Sequence, residues 1–159
     1  MSQLYSLWKN LTGAPVVGDL AGKKAFSLVF SQKAPYFASI HPLVTELEPN
    51  HAEVLIKKRR SVQNHIGTVH AIALCNGLEM AMGALAETTI PAGMRWIPKG
   101  MEVAYTAKAD SDITCIAETD PEQWASGEPD LPVRVKGVRE DGTVVVEGVI
   151  RLWVTPKKE

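Results

Sequence analysis

The segment Arg59 to Glu87, RRSVQNHIGTVHAIALCNGLEMAMGALAE, sets one acid, Glu79, inside a long apolar run and a histidine, His70, at its start. A carboxyl group buried among apolar residues is pushed toward its neutral form, which would fit Glu79 to work near neutral pH as a general base or a nucleophile. The blander alternative is a narrow polar stripe through Asn76 and Glu79 that faces water. His70 falls in the first turn of the helix that the run predicts. There the positive end of the helix dipole disfavours an imidazolium and holds the ring neutral. Unbonded backbone N–H groups in that turn, such as those of Ala71 and Ile72, can donate to a developing oxyanion. A histidine that only hydrogen-bonds at a helix start is the alternative. The nine-residue step from His70 to Glu79 is about 13 Å along a helix and leaves the two on opposite faces. They cannot meet within one chain. A shared site would take His70 from one subunit and Glu79 from another, twice over in a two-fold dimer.

The elements that must hold these residues follow from the pattern. The apolar run predicts a helix over Val69 to Ala86, with Thr68 as the cap whose side-chain oxygen accepts the N–H of His70 or Ala71. Gly77 and Gly83 inside it cost about 0.5–1 kcal/mol each relative to alanine, so a neighbour should approach the backbone there. Upstream, Leu4, Leu7, Trp8 and Leu11 are spaced as an amphipathic helix capped by Ser2. Gly13, Pro15, Gly18 and Gly22 then interrupt the pattern, and a short helix around Gly22 to Phe30 ends before Pro35. From Ile40 the chain reads as two strands turning at Glu48-Pro49-Asn50. Beyond Thr89 come about four more β-like segments, the last two joined by an Asp141-Gly142 hairpin turn, with EQWASGEPDLP as a loop or a single helical turn and a loop. A helix apolar on nearly every face must be surrounded. The expected fold is therefore α+β, an antiparallel sheet wrapped around one long central helix, with a helical segment over 1–38 ahead of a domain over 39–159.

Composition narrows the function. With 17 basic and 18 acidic residues, the chain does not read as a general nucleic-acid or membrane-surface binder. Cys75 and Cys115 are isolated thiols without metal-ligand spacing, so they read as reduced core cysteines, and no metal site is expected. No signal peptide is evident, and His70, Asn76 and Glu79 interrupt the one run that approaches transmembrane length. The expectation is a cytoplasmic protein. His41 and His51 fall in strand or turn contexts with no supporting partner in the sequence.

The stretch NHIGTVHAIALCNGLE, Asn64 to Glu79, resembles the active-site signature of hotdog-fold acyl-CoA thioesterases of the phenylacetyl-CoA type and their bacterial relatives. In that family an Asn or Gln precedes a helix-initial His by six residues and an Asp or Glu follows it by nine. Asn64, His70 and Glu79 stand at those positions, and Gly67 matches the loop glycine. The resemblance implies hydrolysis of acyl-CoA or related thioesters at a homodimer interface, in a dimer that can itself pair into a dimer of dimers. Glu79 would activate water or attack the carbonyl carbon. The Ala71 N–H would hold the carbonyl oxygen with support from His70, and Asn64, across from the other subunit's Glu79, would help position the water. No cofactor is implied beyond the coenzyme A of the substrate. The chain departs from the family where His70-Ala71-Ile72 replaces the usual His-Gly-Gly, adding bulk where a thioester must approach the backbone. It is most similar to a bacterial branch with this His-Ala variation.

Lys57, Lys58, Arg59 and Arg60 end a strand just before the signature and are candidate contacts for the phosphates of coenzyme A. A solvated strand end is the blander explanation of the run. Arg95, Lys99, Lys136 and Arg139 are further candidates, and Tyr36, Phe37 and Trp96 candidate walls of an acyl pocket. Two other functions fit the sequence. One is a hotdog acyl dehydratase pairing His65 with Glu79; the other is a non-catalytic acyl-CoA or lipid binder in which Ala71 and Ile72 block chemistry.

Overall fold

Ser2 opens α1 (Gln3–Thr12), its side chain accepting the Tyr5 N–H, and the apolar spacing buries Leu4 and Trp8. The computed structural model of the protein describes residues 2–13 and 18–157; Pro15 lies outside them. Gly22 does not interrupt the helix that follows. α2 spans Asp19–Lys33 and carries Gly22 inside it, where the missing Cβ admits the Leu11 carbonyl of α1. Trp8, Phe26, Phe30 and Phe37 then form a chain of ring contacts, with centroids 5.1, 6.0 and 6.2 Å apart. These rings belong to one continuous core with the rest of the protein. A 3₁₀ turn, Pro35–Ile40, delivers the chain to the sheet.

β1 (Leu43–Glu48) and β2 (His51–Ile56) form a hairpin in which Asn50 takes φ 69°, a left-handed conformation that asparagine tolerates. After α3 (Ala71–Thr89) come β3 (Met94–Tyr105), β4 (Ile113–Glu118), a short α4 (Pro121–Ala125), β5 (Asp130–Arg139) and β6 (Val144–Pro156). The Asp141-Gly142 turn joins β5 to β6, with Gly142 at φ 85° and the Thr143 N–H donating to Asp141. The six strands form one antiparallel sheet in the order β1-β2-β4-β5-β6-β3.

α3 lies on one face of this sheet. Alternation along β2 and β4 puts Ala52, Val54, Ile56, Ile113, Cys115 and Ala117 beneath it, all fully buried. Leu78, Met80, Met82 and Leu85 are fully buried in return, each large side chain contributing about 1.5–3 kcal/mol by leaving water. The architecture is the expected sheet around a central helix, with N-terminal helices added. The two sheet edges differ. On β1 the Ser27 hydroxyl of α2 accepts the Val44 N–H at 2.8 Å, so a helix covers that edge. β3 has no strand on its outer side among the described residues, although it is 12 residues long.

The two helix glycines meet different surroundings. A Cβ on Gly77 would press on the Ile56 side chain and stand 2.7 Å from Cys115 Sγ, whereas one on Gly83 would touch Trp96 at an ordinary 3.5 Å. Gly77→Ala is expected to lose about 1–3 kcal/mol by overpacking. Gly83→Ala should be neutral or gain up to about 1 kcal/mol of helix propensity. Urea unfolding of the two variants checks the contrast, and equal losses would overturn it.

Candidate active site

A loop stapled shut at both ends positions the start of α3. The His70 N–H donates to Val62 O at 2.8 Å, Asn64 N–H to Thr68 O at 2.9 Å and Val69 N–H to Ala109 O at 2.8 Å. Gly67 turns the chain at φ 80°, a conformation that glycine adopts without strain. Asn64 knots the loop from within. Its Oδ1 accepts the Ile66 and Thr68 N–H groups at 3.1 Å each, and its Nδ2 donates to Thr68 Oγ1 at 2.8 Å. The Thr68 oxygen is thus engaged with Asn64 and does not cap the helix. Because His70 is still paired with Val62, it remains extended (φ −64°, ψ 139°), and the helix cannot begin before Ala71.

His70 itself is the cap. Its Nδ1 accepts the Ile72 N–H at 3.0 Å, which requires an unprotonated Nδ1 and leaves the ring hydrogen on Nε2. Only one of the two expected oxyanion donors is consequently open. The Ile72 N–H is engaged by His70, while no acceptor among the described residues takes the Ala71 N–H. Asn64 and Ala71 line one groove of about 400 Å³ together with Leu74 and Tyr105. His70 and Ile72 line a smaller cleft of about 210 Å³ with Tyr36, Ser39 and Asn76.

Glu79 borders neither space. Its neighbours Leu78 and Met80 are fully buried, yet Glu79 is only half-buried in the single chain. No hydrogen bond or ion pair reaches its carboxylate among the described residues, although most polar groups in such a setting are partnered. It shares a helix stripe with Ile72, Asn76 and Cys75, residues three, four or seven positions away. The structure therefore brings Asn64, Ala71 and His70 together at one end of the helix and leaves Glu79 apart from them, as their spacing predicts.

Cys75 and Tyr105 were not singled out together by spacing in the sequence, because they meet only through the fold. Cys75 Sγ lies 3.3 Å from the Tyr105 hydroxyl. That hydrogen bond first, and burial second, raise the Tyr105 hydroxyl above its ordinary range. Cys115 is enclosed, and burial pushes its thiol far up, which makes it inert. His51 also gains partners that the sequence hid. Its Nε2 lies 3.6 Å from Glu46 and 3.4 Å from Glu53, and its Nδ1 3.7 Å from Glu118. Strand pairing builds this cluster, setting Glu46 opposite Glu53 and His51 opposite Glu118.

The basic run divides in two. Lys58 Nζ donates to Asp110 O at 2.9 Å and its N–H to Asp112 at 2.8 Å, while the Arg59 guanidinium donates to Ile40 O at 2.7 Å. Those two serve the fold. Lys57 and Arg60 stand exposed. Of the other cations, Lys136 pairs with Glu118 and Arg139 with Asp110 and Asp141. His65 sits exposed in the loop turn. No helix is long and apolar enough to cross a membrane among the described residues.

Comparison with known proteins places the fold. No curated protein matches the chain. The genomics protein APC5556, known as a crystal structure, is 41% identical over 97% of this chain and 99% of its own, with a TM-score of 0.81. A Pseudomonas aeruginosa protein of unknown function, PA5026, named a probable thioesterase, superposes at a TM-score of 0.72 with 22% identity, over 81% of this chain and 92% of its own. A thioesterase family protein from Silicibacter pomeroyi superposes at 0.67 with 18% identity, over 84% and 99%. The fold is thus the hotdog of thioesterase-family proteins. The model of the family described as a domain of unknown function, DUF4442, matches residues 22–154, and the chain belongs to that family.

Proposed function

We propose that the protein hydrolyses acyl thioesters, with acyl-CoA as the expected substrate, at two equivalent sites in a homodimer. The observation that carries this reading is the Glu79 carboxylate, half-buried on a helix packed into the core and without a hydrogen-bond or ion-pair partner among the described residues. That leaves the carboxylate free for proton transfer or nucleophilic attack. Glu79 of one subunit takes a proton from water as the water oxygen bonds to the thioester carbon. Alternatively its carboxylate attacks that carbon, the thiolate is expelled, and water then hydrolyses the acyl–Glu79 anhydride to release the acid and restore the carboxylate. The Ala71 N–H of the other subunit, on the positive end of α3, receives the negative charge that gathers on the carbonyl oxygen. His70 presents its Nε2–H beside it. The C–S bond then breaks and the thiolate leaves, taking a proton. Asn64 holds the loop that aims these groups, with one amide hydrogen left over for the water. Lys57 and Arg60 are the basic residues free to meet the phosphates of coenzyme A. The long open edge of β3 supports dimerisation, because an unpaired strand edge of that length is a ready template for a second copy. A cytoplasmic setting suits this chemistry.

Two measurements test the reading. Release of free thiol from a panel of acyl-CoA thioesters should fall at least about tenfold in Glu79→Gln, the loss expected on removing an acid–base group or nucleophile. Unchanged rates in that variant would exclude the role, and saturable binding without turnover in the wild type would replace hydrolysis with simple acyl-CoA binding. The second measurement concerns the shared site. Glu79→Gln and His70→Ala subunits, each nearly inactive alone, should regain about one quarter of wild-type activity when unfolded and reassembled in equal amounts, since half the dimers then hold one intact site. Absence of complementation from mixed dimers would sink the two-subunit site.

A further inference from the structure

Two carboxylates face each other across the first hairpin, on the side of the sheet away from α3, and regular pairing would not put them there. Leu43 and Val44 lie opposite Leu55 and Val54, a register that would set Thr45 against Glu53 and Glu46 against Ala52. A bulge between Val44 and Glu46 shifts the register by one, so that Glu46 meets Glu53 and Leu47 meets Ala52. Val44, Leu47, Ala52 and Val54 are buried in the core, and Glu46 and Glu53 point the other way. A bulge re-aims a side chain. This one sets two like charges directly opposite each other, an arrangement that destabilises a sheet.

His51, two residues before Glu53 on the same face, completes the group. Its Nε2 stands 3.6 Å from Glu46 Oε2 and 3.4 Å from Glu53 Oε1, and the three groups present atoms that lie within 4.8 Å of one another. Those two separations exceed the about 2.7–2.9 Å of a charge-assisted hydrogen bond. They match the edges of a coordination tetrahedron, since ligand atoms about 2.0–2.2 Å from a zinc ion stand about 3.3–3.6 Å apart. Charge points to the same occupant. One imidazolium cannot balance three carboxylates, and Glu118 makes a third, 3.7 Å from His51 Nδ1. Lys136 is engaged with Glu118, and Arg134, opposite Glu118 in the sheet, holds Asp120 with both terminal nitrogens. Among the described residues no other cation pairs with Glu46 or Glu53. A divalent ion on Glu46, Glu53 and a neutral His51 leaves the three together uncharged. A hydrogen on Nδ1 then faces Glu118 and frees the Nε2 lone pair, as a carboxylate behind a metal-bound histidine does.

We propose that Glu46, His51 and Glu53 bind a divalent transition-metal ion of the zinc class, with water completing its coordination. A neutral imidazole suits zinc, whereas magnesium and calcium favour sites built of oxygen alone. The ion ties β1 to β2 on the sheet face opposite α3. It is a structural clip on the hairpin and needs nothing from the thioester chemistry. Spacing in the sequence hides the site, because only strand pairing and the bulge bring its ligands together.

The test takes the tag-free full chain, stripped of metal with EDTA and dialysed, and titrates it with zinc chloride by calorimetry. One zinc ion should bind per chain, and excess zinc should raise the unfolding midpoint. Loss of even an outer-shell partner weakens metal binding about 10–100-fold, so His51→Gln and Glu53→Gln should each weaken zinc by at least about tenfold and abolish the midpoint shift. Should His51→Gln fail to fold, Glu46→Gln, at the exposed rim of the group, makes the same comparison. Magnesium and calcium chloride should bind far more weakly than zinc. Absence of saturable zinc binding would overturn the proposal. So would zinc affinity unchanged in the three variants, which would put the ion elsewhere on the chain, or calcium binding as tight as zinc.

Discussion

The burial of α3 on one side and its incomplete cover on the other govern the rest of the molecule. The sheet takes Leu78, Leu85, Met80 and Met82 out of water completely, and the helix cannot rotate without forfeiting several kcal/mol of that burial. The stripe opposite, through Ile72, Cys75, Asn76 and Glu79, is fixed in direction by the same packing. That packing also fixes the direction of the half-buried Glu79 carboxylate.

The second constraint is where the helix starts. Main-chain pairing of His70 with Val62 keeps the chain extended to residue 70 and so chooses both the cap and the first free donor. The imidazole then serves two ends through its two nitrogens. Nδ1 satisfies a backbone donor inside the fold, and Nε2 faces outward with its hydrogen. Where the thioesterase signature that the chain resembles carries two glycines, Ala71 and Ile72 change the backbone donors less than their side-chain bulk suggests. A methyl at residue 71 leaves its N–H unpaired, and the N–H at residue 72 is in any case held by the histidine ring.

How much of this could be read in advance varied with how local the cause was. The two hairpins were legible because Pro49-Asn50 and Asp141-Gly142 act through their own backbone, and the N-terminal helix because Leu4, Leu7, Trp8 and Leu11 share one face. The opposite placement of His70 and Glu79 followed from helical geometry alone. The cap was misplaced onto Thr68 because the competing partner, Asn64, reaches it through a loop whose closure no single residue announces. Gly22 looked like a break because its neighbour is a carbonyl of another helix. Lys58 and Arg59 passed for free cations, since their acceptors lie on Asp110, Asp112 and Ile40. Burial of Asn76 was invisible for the same reason. The residues that enclose it come from Pro35–Ile40, far away in the chain.

The covered rim of the sheet has a consequence for assembly. A sheet with two bare margins can add copies at either end without limit and runs on into a filament. Here the hydroxyl of Ser27 occupies the Val44 amide, and α2 lies along that margin, so among the described residues only the β3 margin lacks a neighbour of this kind. In the homodimer proposed above, two such margins would use each other up, and growth in that direction would halt at a pair.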